Sequence, residues 1–203
     1  ALFPFYRPAV QQKAPLLRLC GHDQAAFTLL REARKHLQSD GIEAQLLTDY
    51  QEREDLVQIA ATLSRIEALV PLKSTEYDKW LAAHRCNLRY LQGDIDEATN
   101  QAEHNGKPYF LELASSLRRS QGKGLRKRLK VDFVRQRHMT CGPATLAALS
   151  GYFGRPVEQQ AIIDSIWYGG THDYDKRKWA TENGWHVLEF SLDWDSARAL
   201  IDK

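Results

Sequence analysis

The sequence predicts a mainly α protein in which a helical N-terminal domain, residues 1–120, is joined by a basic linker, residues 121–130, to the helical half of an α+β domain, residues 131–203. Three observations carry that reading. Apolar side chains recur at three- and four-residue spacing between residues 24 and 119. Gly122 and Gly124 then sit inside a basic run, the pattern of a connection between domains. After Lys130, short alternating stretches appear between helical ones.

In the first domain, residues 24–38 place Phe27, Leu30, Ala33 and Leu37 on one face before Ser39-Asp40-Gly41 stops the helix. Leu56, Ile59, Leu63, Ile66 and Leu69 repeat at helical spacing up to Pro71. Thr75 and Asp78, three residues apart, have the pattern of a capping box and open a helix that runs through Trp80, Leu81, Leu88 and Leu91 to Gly93. Residues 94–104 and 107–119 give two shorter helices, the second with Pro108 in its first turn, where a missing N–H costs nothing. Residues 88–98, with the Gly93-Asp94 turn ahead of Ala98, resemble the junction of one tetratricopeptide repeat. No second copy follows at a period of ~34 residues, and an ordinary helical hairpin is the equal alternative. Either form offers grooves for a protein partner.

In the second domain, Leu129 to Val134 alternates like a strand, helices follow over residues 144–153, 156–168 and 173–182, and Trp185 to Leu192 alternates again. Asp193 or Asp195 caps a last helix reaching Lys203.

Composition narrows the function. Lysine plus arginine at 28 against aspartate plus glutamate at 26 leaves a net charge of +2, too balanced to require nucleic acid or a membrane surface. Nine basic residues do cluster between Arg118 and Arg137 against the single acid Asp132, but only Phe133 is interleaved as a stacking aromatic, so a solvated linker is preferred to a nucleic-acid patch. No apolar run approaches the ~18–20 residues of a membrane span. Cys20, Cys86 and Cys141 are odd in number and widely spaced, which argues against a disulfide framework and points to free thiols in a reducing, cytoplasmic compartment. No cofactor or metal site is expected, because the histidines lack paired ligand spacing.

The chemistry concentrates around Gln136 and Cys141-Gly142-Pro143-Ala144. Pro143 fits the first turn of a helix, which puts Cys141 at the helix N-terminus. There the unpaired amides and the positive end of the dipole favour a thiolate, the nucleophilic form. Gly142 is expected to let a substrate backbone approach the sulfur. Gln136, five residues earlier, can aim its amide at the oxygen of a carbonyl under attack.

These residues, with Leu146, Ala147, Gly151-Tyr152-Phe153-Gly154, Gly170-Thr171 and Asn183-Gly184, resemble the first half of the bacteriocin-processing type of papain-like cysteine peptidase, known fused to bacterial exporters and as separate domains. The likeness covers residues 131–203. It implies a papain-like fold and cleavage of a peptide or protein substrate, with Cys141 as nucleophile and Gln136 as oxyanion donor. The catalytic His would come from a later sheet, beyond Lys203. Thr140 stands where that family often has an acidic residue, and the Gln136–Cys141 gap is one residue shorter than in exporter-linked members. Without the later sheet, the helices carrying Ala144, Leu146, Ala147, Ile162 and Ile166 are expected to lie uncovered.

Within the chain, His172, followed by Asp173, is the first alternative base; His138 is too close to Cys141 along the chain, and His186 reads as a half-buried strand residue. Cys86, among Trp80, Leu81 and Leu88, reads as packing. Cys20-Gly21-His22-Asp23 is only a sequential neighbourhood, whereas a triad is spatial. The competing function is a non-catalytic helical scaffold for protein–protein binding that carries a degenerate peptidase-like domain.

Overall fold

A computed structural model describes residues 5–120, 129–189, 191 and 193–201. The chain divides into two compact units, Ala1–Leu129 and Lys130–Lys203. Residues 121–128 of the expected linker, four of its basic side chains included, lie outside the described residues, as do Phe190 and Leu192 of the second expected strand. The protein is mainly helical, and no described helix is long and apolar enough to cross a membrane.

Unit 1 is built from α1 (Arg7–Leu19), α2 (Asp23–His36), α3 (Asp40–Glu52), α4 (Leu56–Leu69), α5 (Thr75–Gln92), α6 (Ile95–Asn105) and α7 (Pro108–Ser120), each packing chiefly on the next in the chain. Two of these helices extend the sequence expectation. Helix α1 precedes the stretch read as helical; Pro8 suits its first turn, but Pro15 lies inside it and lacks the N–H that an interior position uses, which masks the signal. Ser39-Asp40-Gly41 ends one helix and begins another, since Ser39 is the extended N-cap residue of α3. The apolar Ile42, Leu46 and Leu47 drive α3 inward, yet Glu43 and Asp49 are buried beside them, so the helix does not read as amphipathic.

Those buried acids are paired. Arg34 of α2 donates from Nε and Nη2 to both Glu43 oxygens and from Nη2 to Thr62 Oγ1 of α4 at 2.9 Å, and its charge is held on by the Glu43 carboxylate, which raises the guanidinium pKa. Arg18 of α1 reaches Asp49 at 2.5 Å. Around this network, Leu30, Ile42, Leu46, Ile59, Ile66 and Leu81 are fully buried, each worth ~1.5–3 kcal/mol of transfer free energy.

Helix α5 has a face in each of two cores: Leu81 and Leu88 join that first cluster, while Cys86 packs with Ala98, Ala102, Ala114 and Leu117. Its N-cap is Ser74, whose Oγ accepts from Tyr77 N–H at 3.3 Å, so the expected Thr75–Asp78 capping box gives way to a cap one residue earlier. The 88–98 segment is a helical hairpin. Gly93 turns with φ +83°, Asp94 caps α6 through Glu97 N–H, and Ala98 is fully buried.

Unit 2 contains α8 (Cys141–Tyr152), α9 (Gln159–Ile166), α10 (Asp173–Glu182) and α11 (Trp194–Ile201), the last capped by Asp193 accepting from Ser196 N–H at 2.7 Å. Neither expected strand pairs: among the described residues there is no β-ladder, and 129–137 and 185–189 run without one. The alternation had a different cause. Trp185 and Val187 turn inward, on either side of the exposed His186, against a core of Ala147, Ile162, Ile166, Trp179 and Ala180, which gives a period of two without a partner strand, whereas in 129–134 only Val134 packs on that core and Leu129, Val131 and Phe133 are exposed. The same core corrects the expectation of uncovered helices, since Ala144, Ala147, Ile162 and Ile166 are all buried and Leu146 is half-buried.

Candidate functional site

Cys141 is the first residue of α8 and its side chain is exposed. The preceding residues form a tight turn closed by Thr140 N–H on Arg137 O at 3.2 Å, with Met139 in the left-handed region at φ +54°. A non-glycine residue holds that conformation only when its surroundings impose it. They do so here at several points. The buried Thr140 Oγ1 accepts from Arg137 N–H at 2.8 Å and donates to Arg137 O at 3.1 Å. Gln159 Nε2 donates to the same hydroxyl at 3.2 Å, and Trp167 Nε1 donates to Met139 O at 3.1 Å. Arg137 also meets Gln160 through its guanidinium. Sequence reasoning missed Thr140, Gln159 and Trp167; Thr140 was visible only as a departure from the family pattern.

Gly142 has a role other than the one expected. It is buried, and a Cβ there would stand 3.1 Å from Thr171 Cβ and 3.2 Å from Lys176 Cδ. The space beside Gly142 is therefore filled by the protein, and a side chain there would press on the loop entering α10 where it closes on α8. Thr171 Oγ1 is buried there without a hydrogen-bond partner among the described residues. Lys176 pairs with Asp173 at 2.5 Å, and this hydrogen bond draws the exposed Asp173 carboxyl below its ordinary value.

Gln136 is exposed in the extended segment ahead of the turn, and His172 is the exposed N-cap residue of α10, next to Thr171. His138 is exposed within the turn itself. His186 lines a groove of about 270 Å³ with Leu146 and Leu149 of α8 and Phe153, its C-cap residue. Among the described residues no side chain hydrogen-bonds Cys141 Sγ.

The other thiols differ in kind. Cys86 is 2% exposed, and burial pushes its thiol up. Cys20 is exposed and forms the C-cap of α1. Two exposed thiols thus sit at opposite ends of their helices, Cys141 at the N-terminus of α8 and Cys20 at the C-terminus of α1.

No family model matches the chain, and neither a curated protein nor a solved structure matches it.

Proposed function

We propose that this chain is a thiol-dependent peptidase module acting on a peptide or protein substrate, with Cys141 as nucleophile and Gln136 as oxyanion donor. The observation that carries the reading is an exposed cysteine opening a helix on a turn held in a strained conformation by Thr140, Gln159 and Trp167. Such a turn supports the reading because it sets the backbone from which the sulfur projects at the first residue of α8, and nucleophilic catalysis needs a positioned nucleophile. The sulfur attacks the scissile carbonyl carbon, Gln136 donates to the developing oxyanion, the amine leaves with a proton from a histidine, and water then hydrolyses the thioester. The base implied by the family resemblance follows Lys203; within the chain the first candidate is His172, whose neighbour Thr171 packs on Gly142. The free thiols suit a cytoplasmic setting. The helical unit, tetratricopeptide-like at α5–α6, recruits the substrate or a partner.

The test is chemical. Iodoacetamide should modify Cys141 faster than Cys20, and Cys20 faster than Cys86. In an active form that includes the histidine the resemblance implies, peptide hydrolysis should vanish in Cys141→Ala and fall roughly 100- to 1,000-fold in Gln136→Ala. Modification of Cys141 no faster than Cys20, or hydrolysis that survives Cys141→Ala, ends the peptidase reading. The second reading, a non-catalytic binding scaffold, is favoured by the lack of a described hydrogen-bond partner on Cys141 Sγ, and partner capture undiminished in Cys141→Ala, in a chain without hydrolysis, would establish it.

A further inference from the structure

Unit 1 carries a half-open cleft of about 470 Å³ between α2, the end of α3 and the start of α4. Four of its lining side chains are cationic, Arg31, Arg34, Lys35 and Arg53, and its lining includes a single carboxylate, Asp55. These charges are not equivalent. Arg34 is committed to Glu43 and belongs to the core network. Lys35 meets Glu32 at 2.8 Å in an exposed pair of the kind that exchanges readily for another partner. Arg31 and Arg53 both stack on the ring of Phe27, with guanidinium carbons 5.6 and 4.2 Å from its centroid, and Arg53 also donates to the neutral Gln24 Oε1 at 3.3 Å. Phe27 is itself held edge-on to Tyr50 at 5.7 Å. A guanidinium on a ring face can still present N–H groups to a carboxylate, and its fork matches a carboxylate in two parallel hydrogen bonds; for Arg53 this means exchanging the long bond to Gln24.

From this arrangement we infer that the cleft docks an acidic peptide segment in extended form. Arg31 and Lys35 lie one helical turn apart on α2, roughly 5–6 Å between Cβ atoms. Alternate side chains of an extended peptide are spaced by roughly 6.6 Å, so carboxylates two residues apart meet both cations while Arg53 closes on the strand from α3's end. A phosphate dianion fits less well. The α4 N-terminus, the usual place for one, is already capped by Asp55, which accepts from Gln58 N–H at 3.0 Å. The inference rests on the reading of unit 1 as the recruiting part of the chain, and it names the chemistry recruited.

The test is the fluorescence anisotropy of a labelled decapeptide of alternating glutamate and glycine, titrated with the Cys141→Ala chain so that binding is read without turnover. Binding should weaken at least 10-fold in Arg31→Gln/Arg53→Gln, at least 10-fold for the glutamine counterpart of the peptide, and hardly at all in Arg119→Gln, a surface cation on α7. If the double variant loses its helical circular dichroism, Arg31→Gln alone is used, since Arg31 is exposed, and it should still weaken binding several-fold. An unchanged isotherm in the folded variant overturns the site. Inorganic phosphate displacing the peptide at equal concentration, or a single-stranded oligonucleotide bound as tightly and lost in the same variant, overturns the peptide assignment. Loss of hydrolysis elsewhere leaves this binding untouched, so the two readings fail separately.

Discussion

Unit 1 buries charged side chains, whereas unit 2 buries a hydroxyl that holds an exposed turn. In the first, Glu43 and Asp49 lie inside a helical core and are matched by Arg34 and Arg18, so that α1 to α4 are tied by ion pairs as well as apolar contact. In the second, the core is small and one of the buried polar residues is Thr140, whose hydroxyl is spent on the backbone just ahead of Cys141. The contrast teaches what each unit's polar interior is for. Buried ion pairs between helices set which helix packs on which, whereas a buried hydroxyl in a turn sets where one side chain points.

The largest effect that would break this comparison is expected at Glu43. Glu43→Ala leaves Arg34 uncompensated inside unit 1 and should cost about 3–5 kcal/mol, read as a lowered urea midpoint for the helical signal. A cost near that of a surface substitution would show that the network is peripheral to the packing of α2 to α4.

Thr140→Val keeps the shape and removes the hydroxyl. It should destabilise unit 2 by about 1–3 kcal/mol, because Arg137 N–H and Gln159 lose their acceptor, and it should slow alkylation of Cys141 relative to Cys20. Loss of stability with an unchanged alkylation ratio would separate the turn from the thiol.

A smaller effect of opposite sign is expected at Thr171. Its hydroxyl is buried without a described partner, while its Cβ and Cγ2 fill the space beside Gly142, so Thr171→Val should preserve packing and raise stability by about 1 kcal/mol. A destabilised valine variant, measured by thermal melting, would mean that the hydroxyl has a partner in solution.

The slightest effect is a pH dependence confined to unit 1. His84 is held neutral: burial lowers its pKa from 6.5, Gln51 Nε2 donates to its Nδ1 at 2.8 Å, and Trp80 meets the ring edge at 4.5 Å. Because the unfolded histidine takes up its proton first as pH falls, the stability conferred by the neutral form is complete above pH 6.5 and declines below it. His84→Gln should flatten the unit 1 stability profile between pH 7 and 5, and an unaltered slope would assign the dependence to other groups.

Much of this was legible along the chain. Pro143 three residues into Thr140-Cys141-Gly142-Pro143 put Cys141 at a helix start, and α8 begins there; Asp94, Gly93 and Pro108 marked helix ends that the structure keeps. These signals are local, since a cap or a first-turn proline acts within about four residues of itself. Alternation was legible too, but at 185–187 it reports which way side chains face and not whether another strand is there to pair, and at 129–134, where Leu129, Val131 and Phe133 are exposed, it reports neither.

What only the tertiary structure decided involves residues far apart in sequence. Glu43 and Asp49 belong inside α3 because Arg34 and Arg18 arrive from other helices, nine and thirty-one residues away. Gly142 serves close packing because Thr171 and Lys176 come to rest on it, and the Cys141 turn is held by Gln159 and Trp167 from nineteen and twenty-eight residues beyond its members. Arg31, Lys35 and Arg53 become one cleft only when α2, α3 and α4 pack. The sequence by itself therefore determined most of the helices, though not α1 or α3, many of their ends and the position of the nucleophile candidate, because backbone hydrogen bonds four residues apart and side-chain caps encode them. The pairing of buried charges, the close approach at Gly142 and the shape of the cleft were left to the packed chain, because their energies depend on distances that exist only after folding.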